Sequence, residues 1–189
     1  KAIEALIGQN RSLAKKIMDG DCEVDREQKK IENICFNLLM QQQPVARDLR
    51  VISAAMKMVT DMERIGDHAA DISEMTVMMS DTPYVADLED IKKMASETVL
   101  MLIRSIEAYV EKDMLKAQSV IDHDDIVDDL FHKNKQDLIE LIQKNPAVSE
   151  QAADMLMVAK YFERIGDHAT NLAENIIFAL DDKKNTAGN

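Results

Sequence analysis

The chain has 189 residues, with 35 Asp and Glu against 23 Lys and Arg and a formal charge of -12 at pH 7. Binding to a nucleic-acid backbone draws its affinity from Lys and Arg, so an acidic chain without a basic run excludes nucleic acid and favours cations or basic protein surfaces as guests. At 46% hydrophobic residues, with five Gly, three Pro and 13 Met, it reads as a folded all-α protein of long, rarely interrupted helices.

Punctuation residues divide the chain into six predicted helices. The first, 1–18, ends before Gly20. The second, 21–42, ends at Gln43-Pro44, and the third, 46–79, at Thr82-Pro83. The fourth, 85–111, stops at Lys112-Asp113, the fifth, 114–143, at Asn145-Pro146, and the sixth covers 148–181. Long helices joined by tight turns pack as antiparallel bundles. Cys22 and Cys35 are too few for a disulfide framework or a thiolate zinc site, and a reducing compartment fits. No apolar run approaches the roughly 20 residues a membrane span needs, and no signal peptide opens the chain. The first residue is Lys1, so a trimmed start is expected.

An internal repeat organises these helices. Glu63-Arg64-Ile65-Gly66-Asp67-His68-Ala69 recurs unchanged as Glu163-Arg164-Ile165-Gly166-Asp167-His168-Ala169. Each copy lies in the third helix of its half, after a hairpin marked by Pro44 or Pro146, which predicts two tandem three-helix bundles, 1–82 and 83–189. A heptad-like seam of Val51, Ala55, Met58, Met62, Ile65, Ala69, Ile72 and Thr76 runs along the third helix. Its counterpart on the sixth is Met155, Val158, Phe162, Ile165, Ala169, Leu172 and Ile176. Met and Phe at such spacing are core.

At 100° per residue, Glu63, Asp67, Asp71 and Glu74 form a stripe almost opposite the seam. Acids on an outer face usually serve solvation alone, yet this Glu and the Asp four residues later recur in both copies. Gly66 and Gly166 each cost roughly 1 kcal/mol inside a helix, which close packing of a neighbouring helix would offset. Arg64 and Arg164 are placed to pair with carboxylates three residues away, and His68 and His168 read as helix-surface histidines.

One Glu-x-x-x-Asp offers two carboxylates about 6 Å apart, too few to close a coordination shell, so a second helix must contribute. A hairpin turning at Pro44 brings residues near 22 and 26 level with Asp67 and Glu63, where Asp21 and Asp25 stand. A hairpin turning near Asn145 sets Asp124 and Asp128 level with Asp167 and Glu163. Two sets of four carboxylates would repel strongly if bare, and a hard cation relieves that repulsion. All-oxygen ligation suits Mg, Ca, Mn or ferric Fe. A competing reading has Asp21, Asp124 and Asp125 capping the second and fifth helices. His123 and His132 stand near the fifth-helix acids as candidate further ligands. No nucleophile-base set, phosphate loop or H-E-x-x-H occurs, and a ferritin-like site would want Glu-x-x-His where this chain has Glu-x-x-Gly.

With its doubled E-R-I-G-D-H-A, each copy following a Pro-marked hairpin (Pro44 with Asp48-Leu49-Arg50, then Asn145-Pro146), the chain resembles the PhoU family of phosphate-uptake regulators over essentially its whole length. That resemblance implies a cytoplasmic, non-enzymatic accessory protein of two three-helix bundles. Such a protein acts as a negative regulator through the phosphate ABC transporter, including its ATPase subunit, and the sensor kinase of the phosphate regulon. It also implies dimers, further residues before Lys1, and metal clusters on Glu63, Asp67, Glu163 and Asp167 with partner residues Asp21, Asp25, Asp124 and Asp128. Asn171 replaces Asp71 in the second copy, so the two sites need not hold equal numbers of metals. The alternatives are a carboxylate-bridged metalloenzyme of helical-bundle type and a metal-free scaffold.

Overall fold

The computed structural model describes residues 1–41 and 44–181. Its helices are α1 (Ala2–Ile7), α2 (Arg11–Gln41), α3 (Ala46–Met79), α4 (Glu89–Glu111), α5 (Met114–Ile121), α6 (Asp124–Lys144) and α7 (Ser149–Leu180), with a 3-10 turn at Pro146–Val148 before α7. Three helical units per half, used twice, is the predicted architecture. In the second half the middle unit is broken into α5 and α6 at Asp122-His123.

The predicted break at Gly20 does not occur. One glycine costs about 1 kcal/mol in a helix interior, and α2 runs through it for 31 residues because packing along α3 outweighs that loss. The real boundary falls earlier, at Gly8-Gln9-Asn10. There Gln9 adopts φ 45° and the Asn10 amide N–H donates to the Ala5 carbonyl at 2.8 Å. The end of α4 repeats this turn: Lys112 adopts φ 55° and the Asp113 N–H donates to Ala108 O at 3.0 Å. Asn10 and Asp113 then cap the following helices, Asn10 Oδ1 accepting from Leu13 N and Asp113 from Leu115 N and Lys116 N. The repeat therefore extends well beyond the seven identical residues. Gln42-Gln43, where the second helix was expected to end and turn, lies outside the described residues, as does 182–189.

The long helices α3 and α7 form the central pair. α2 packs on α3, while α4, α5 and α6 all pack on α7. Between the halves, the segment 80–88 is tied to both. Tyr84 Oη donates to Leu6 O at 2.5 Å, Gln9 Nε2 to Thr82 O at 2.7 Å, and Gln151 Oε1 accepts from Val85 N at 2.6 Å.

This unequal cover decides the core. Every predicted seam residue of α7, from Met155 to Ile176, is buried. On α3 only Met58, Ile72 and Thr76 are, whereas Val51 is 40% and Met62 44% exposed, beside an apolar groove of about 200 Å³ flanked by Ile31, Met58, Ile106 and Tyr109. The reason is geometric: α7 is covered by α3, α4, α5 and α6, but α3 has only α2, α7 and the six-residue α1. Inside the second half, the buried hydroxyls of Thr98 and Ser105 are satisfied at short range and across helices. Ser105 Oγ donates to Met101 O at 2.9 Å and lies 3.1 Å from Ala169 O on α7.

Candidate metal centre

Asp21 and Asp25 sit one turn apart on α2, Glu63 and Asp67 one turn apart on α3, and the two helices approach closely where both pairs face each other. Gly66 permits this. A Cβ there would lie 3.1 Å from Val24 Cγ1, tighter than an ordinary contact, so a side chain would require Val24 to give way. Gly166 plays the same part against α6, where a Cβ would lie 3.3 Å from Asp124 Oδ1 and 3.4 Å from Val127 Cγ1. Both glycines are there for close helix packing.

In the first half, Asp21, Asp25 and Asp67 each present a carboxylate oxygen within 4.8 Å of the others. Glu63 completes the wall. Its side chain is only 15% exposed, and buried Oε2 has no hydrogen-bond donor, Arg64 Nε standing 3.5 Å away. Burial, then Asp67, Asp25 and Asp21, push the Glu63 carboxyl above the ordinary carboxylate range, with Arg64 opposing. Asp21 is raised by burial, then by Asp67, Asp25 and Asp71. Because α2 is continuous through Gly20, Asp21 lies mid-helix, and the capping reading fails for it.

The second half is built alike and charged differently. Asp124 and Asp128 on α6 face Glu163 and Asp167 on α7. Burial and then Asp128, Asp167 and Glu163 push Asp124 up to about 6, and Asp167 is raised by burial and by Glu163, Lys160 opposing. Lys160 forms an ion pair with Glu163. Among the described residues no three acids of this half bring oxygens as close together as Asp21, Asp25 and Asp67 do. Asp124 and Asp125 occupy the first turn of α6, where acids favour the helix dipole, but the N-cap is His123 and no side chain caps the helix, so the capping reading fails here too.

Several expectations are corrected. The acidic stripe does not point to solvent: Glu63 is walled in by α2, and only Glu74 of the four is fully exposed. His68 is buried, 8% exposed, with its ring 5.6 Å from those of Tyr161 and His168 and its Nδ1 3.1 Å from Asp71 Oδ2. It lies on the α3–α7 contact rather than on the outer surface. Arg64 pairs with Asp67 at 2.9 Å, but Arg164 forms no ion pair among the described residues, and Glu163 is held by Lys160 instead. His123 Nε2 turns to Glu97 at 2.8 Å, and His132 Nδ1 to its own helix carbonyl at Asp128, so neither enters the acid set. Asn171 does not replace Asp71 at the cluster; its amide reaches Asp61 at 3.2 Å.

Lys160 and Tyr161 escaped sequence reasoning, and Asp61, expected as a partner for Arg64, bonds His168 Nδ1 at 2.9 Å instead. All stand just ahead of the identical segments, where the copies diverge from Thr60-Asp61 to Lys160-Tyr161. That divergence was the available signal.

The molecule is thus a twice-used three-helix unit whose repeated acids face a second acidic pair across a glycine-mediated helix contact. The PhoU domain matches residues 1–76 and again 91–176, so the chain belongs to the PhoU family. It is 37% identical over 183 residues to a phosphate-specific transport system accessory protein PhoU homolog of Clostridium acetobutylicum, covering 96% of this chain and 84% of that protein. A homolog of the same name from Aquifex aeolicus is 35% identical over 164 residues, 87% of this chain and 74% of that protein. The crystal structure of PhoU from Pseudomonas aeruginosa superposes with a TM-score of 0.92 at 27% identity, covering 95% of this chain and 86% of that one. Among the described residues no helix is long and apolar enough to cross a membrane.

Proposed function

We propose that this protein is a metal-binding accessory regulator of phosphate uptake, without catalytic activity of its own. The observation that carries it is the convergence of Asp21, Asp25 and Asp67 within 4.8 Å beside the buried, donor-less Glu63 Oε2. Carboxylates so placed are a poor arrangement for a bare protein and a fitting one for a hard cation, which takes six or more oxygens at 2.3–2.6 Å when it is calcium and octahedral oxygens when it is Mg or Mn. Asp21, Asp25, Glu63 and Asp67 would hold the ion in the first half, and Asp124, Asp128, Glu163 and Asp167 in the second. The ion would neutralise the acids and cross-link α2 to α3 and α6 to α7.

The role follows from the relatives' names, which make them accessory proteins of the phosphate-specific transport system. On this reading the protein works in the cytoplasm as a homodimer and restrains uptake and phosphate-regulon signalling through the transporter's ATPase subunit and the sensor kinase. Support for a non-enzymatic role comes from those names, which describe accessory proteins of a transport system. The test is metal content and thermal stability of protein purified without chelator, wild type against Glu63→Ala/Asp67→Ala. Bound Mn, Mg, Ca or Fe that raises the wild-type Tm and is lost in the variant is expected. A wild type that carries none and gains no stability from any of them would refute the metal reading. Co-purification with the transporter ATPase subunit at high phosphate tests the regulatory one.

A further inference from the structure

The two identical segments meet across the α3–α7 contact, where the rings of His68 and His168 are 5.6 Å apart. Beside this contact lies an open cleft of about 550 Å³ to which both copies contribute. Arg64 and His68 come from one, Arg164 and His168 from the other, with Asp21, Asp67 and Asp71 along the acidic side. It is the place where arginines of both copies and the edge of the first carboxylate cluster share one space.

The charges in this cleft are unbalanced in an informative way. Arg64 is engaged, 2.9 Å from Asp67 and 3.5 Å from Glu63. Arg164 lies in the same seven-residue segment yet has no carboxylate partner among the described residues, while Lys160 pairs with Glu163. An arginine left free at the mouth of a polar cleft is a donor fork matched to a tetrahedral oxyanion. Three aspartates line the same cleft and would repel such an anion while bare. A cation on Asp21, Asp25, Glu63 and Asp67 would cancel that repulsion and, by taking both Glu63 and Asp67, release Arg64 from its two partners. The cleft would then present two guanidinium groups and one remaining carboxylate, Asp71, whose Oδ2 lies 3.1 Å from His68 Nδ1. A hydrogen phosphate dianion suits this mixture because its P–OH can donate to Asp71 while its other oxygens accept from the arginines. Sulfate, with no proton at neutral pH, would set its acceptor oxygens against the acceptor oxygens of Asp71.

We propose that this inter-repeat cleft is a metal-dependent binding site for inorganic phosphate, with Arg164 as its principal anion donor, Arg64 as the donor freed by the cation, and Asp71 as the group that selects phosphate over sulfate. The proposal rests on the metal reading above and extends it from the cation to the anion the cation admits.

The test is calorimetric titration of the full chain with sodium phosphate and with sodium sulfate at neutral pH. The protein is either metal-free or loaded with Mn(II) and desalted, and its metal stoichiometry is read first. Phosphate should bind the loaded protein and not the metal-free one, with sulfate weaker by roughly tenfold or more. Arg164→Ala should weaken phosphate binding by a similar factor with metal stoichiometry unchanged. Arg104→Ala, on α4 away from the cleft, should leave both unchanged. Arg164 is exposed, so its loss does not threaten folding, and circular dichroism checks this. Full metal loading with no phosphate binding overturns the proposal and leaves the metal reading standing. Undiminished binding in Arg164→Ala, binding without metal, or sulfate binding as well as phosphate also overturns it. Failure to load any metal overturns both readings.

Discussion

The two halves carry the same seven-residue segment and surround it differently. Around Glu63 and Asp67 the acids converge, Arg64 is tied to them, and the helix face beyond is half uncovered. Around Glu163 and Asp167 the helix is enclosed by four neighbours, Lys160 has moved onto Glu163, and Arg164 is released. Just outside the repeat the copies differ, Thr60-Asp61 in one and Lys160-Tyr161 in the other, and Lys160 brings a cation onto Glu163. Identical residues can therefore serve different tasks, a tight acid cluster in one half and a freed arginine with a sturdier core in the other.

This contrast can be broken experimentally, beginning with packing. Phe162 on α7 is buried, whereas its counterpart Met62 on α3 is 44% exposed. Phe162→Ala should cost about 3–5 kcal/mol in denaturant unfolding and Met62→Ala about 1 kcal/mol or less. Equal costs would mean the first-half face is covered in solution.

Metal affinity should separate the halves next. Asp21→Asn/Asp67→Asn should weaken the tighter phase of a Mn(II) titration by roughly 100-fold, about 2.7 kcal/mol, and leave the weaker phase alone. Asp124→Asn/Asp167→Asn should do the reverse. Loss of the tighter phase in the second pair of substitutions would invert the assignment.

Asp124 supplies a pH signature belonging to the second half. Its folded carboxyl is raised from 3.8 to about 6, so the stability it contributes is fully present below pH 3.8 and is lost as pH rises through about 6. Asp124→Asn should therefore raise the metal-free protein's stability at pH 7.5 by on the order of 1–2 kcal/mol. It should have little effect at pH 3.5, and thermal scans at the two pH values check this.

The smallest effect concerns glycine. Nothing lies within 4 Å of a Cβ built on Gly20, whereas one on Gly66 would meet Val24 at 3.1 Å. Gly20→Ala should stabilise by about 0.5–1 kcal/mol, and Gly66→Ala should gain nothing or lose stability and weaken the adjacent metal site. A stabilised Gly66→Ala with intact metal binding would show that the helix contact yields easily.

Much of this was legible in the residues. The helical spacing, the Pro-marked turn at Pro146 and the doubled segment specify an all-α protein of two related halves. Antiparallel hairpin geometry sufficed to set Asp21 and Asp25 opposite Asp67, because a turn position and a 1.5 Å rise per residue determine which residues are level. The break at Gly20 was misplaced because a single glycine is a weak local signal, about 1 kcal/mol, and packing along a 31-residue helix overrides it. The turn at Lys112-Asp113 was read where it occurs, whereas its counterpart at Gly8-Gln9-Asn10 was passed over in favour of Gly20.

What the sequence alone determined, then, is what depends on near neighbours and on period: helix type, the repeat, the pairing of acids within a hairpin, and the need for glycine at a close helix contact. Only the tertiary structure decided how α3 and α7 meet. That contact buries His68, joins Asp61 to His168, encloses the α7 seam on all sides and leaves the α3 seam half open. These outcomes depend on which surfaces of distant segments come together, and helical periodicity, the same in both copies, carries no information about that choice.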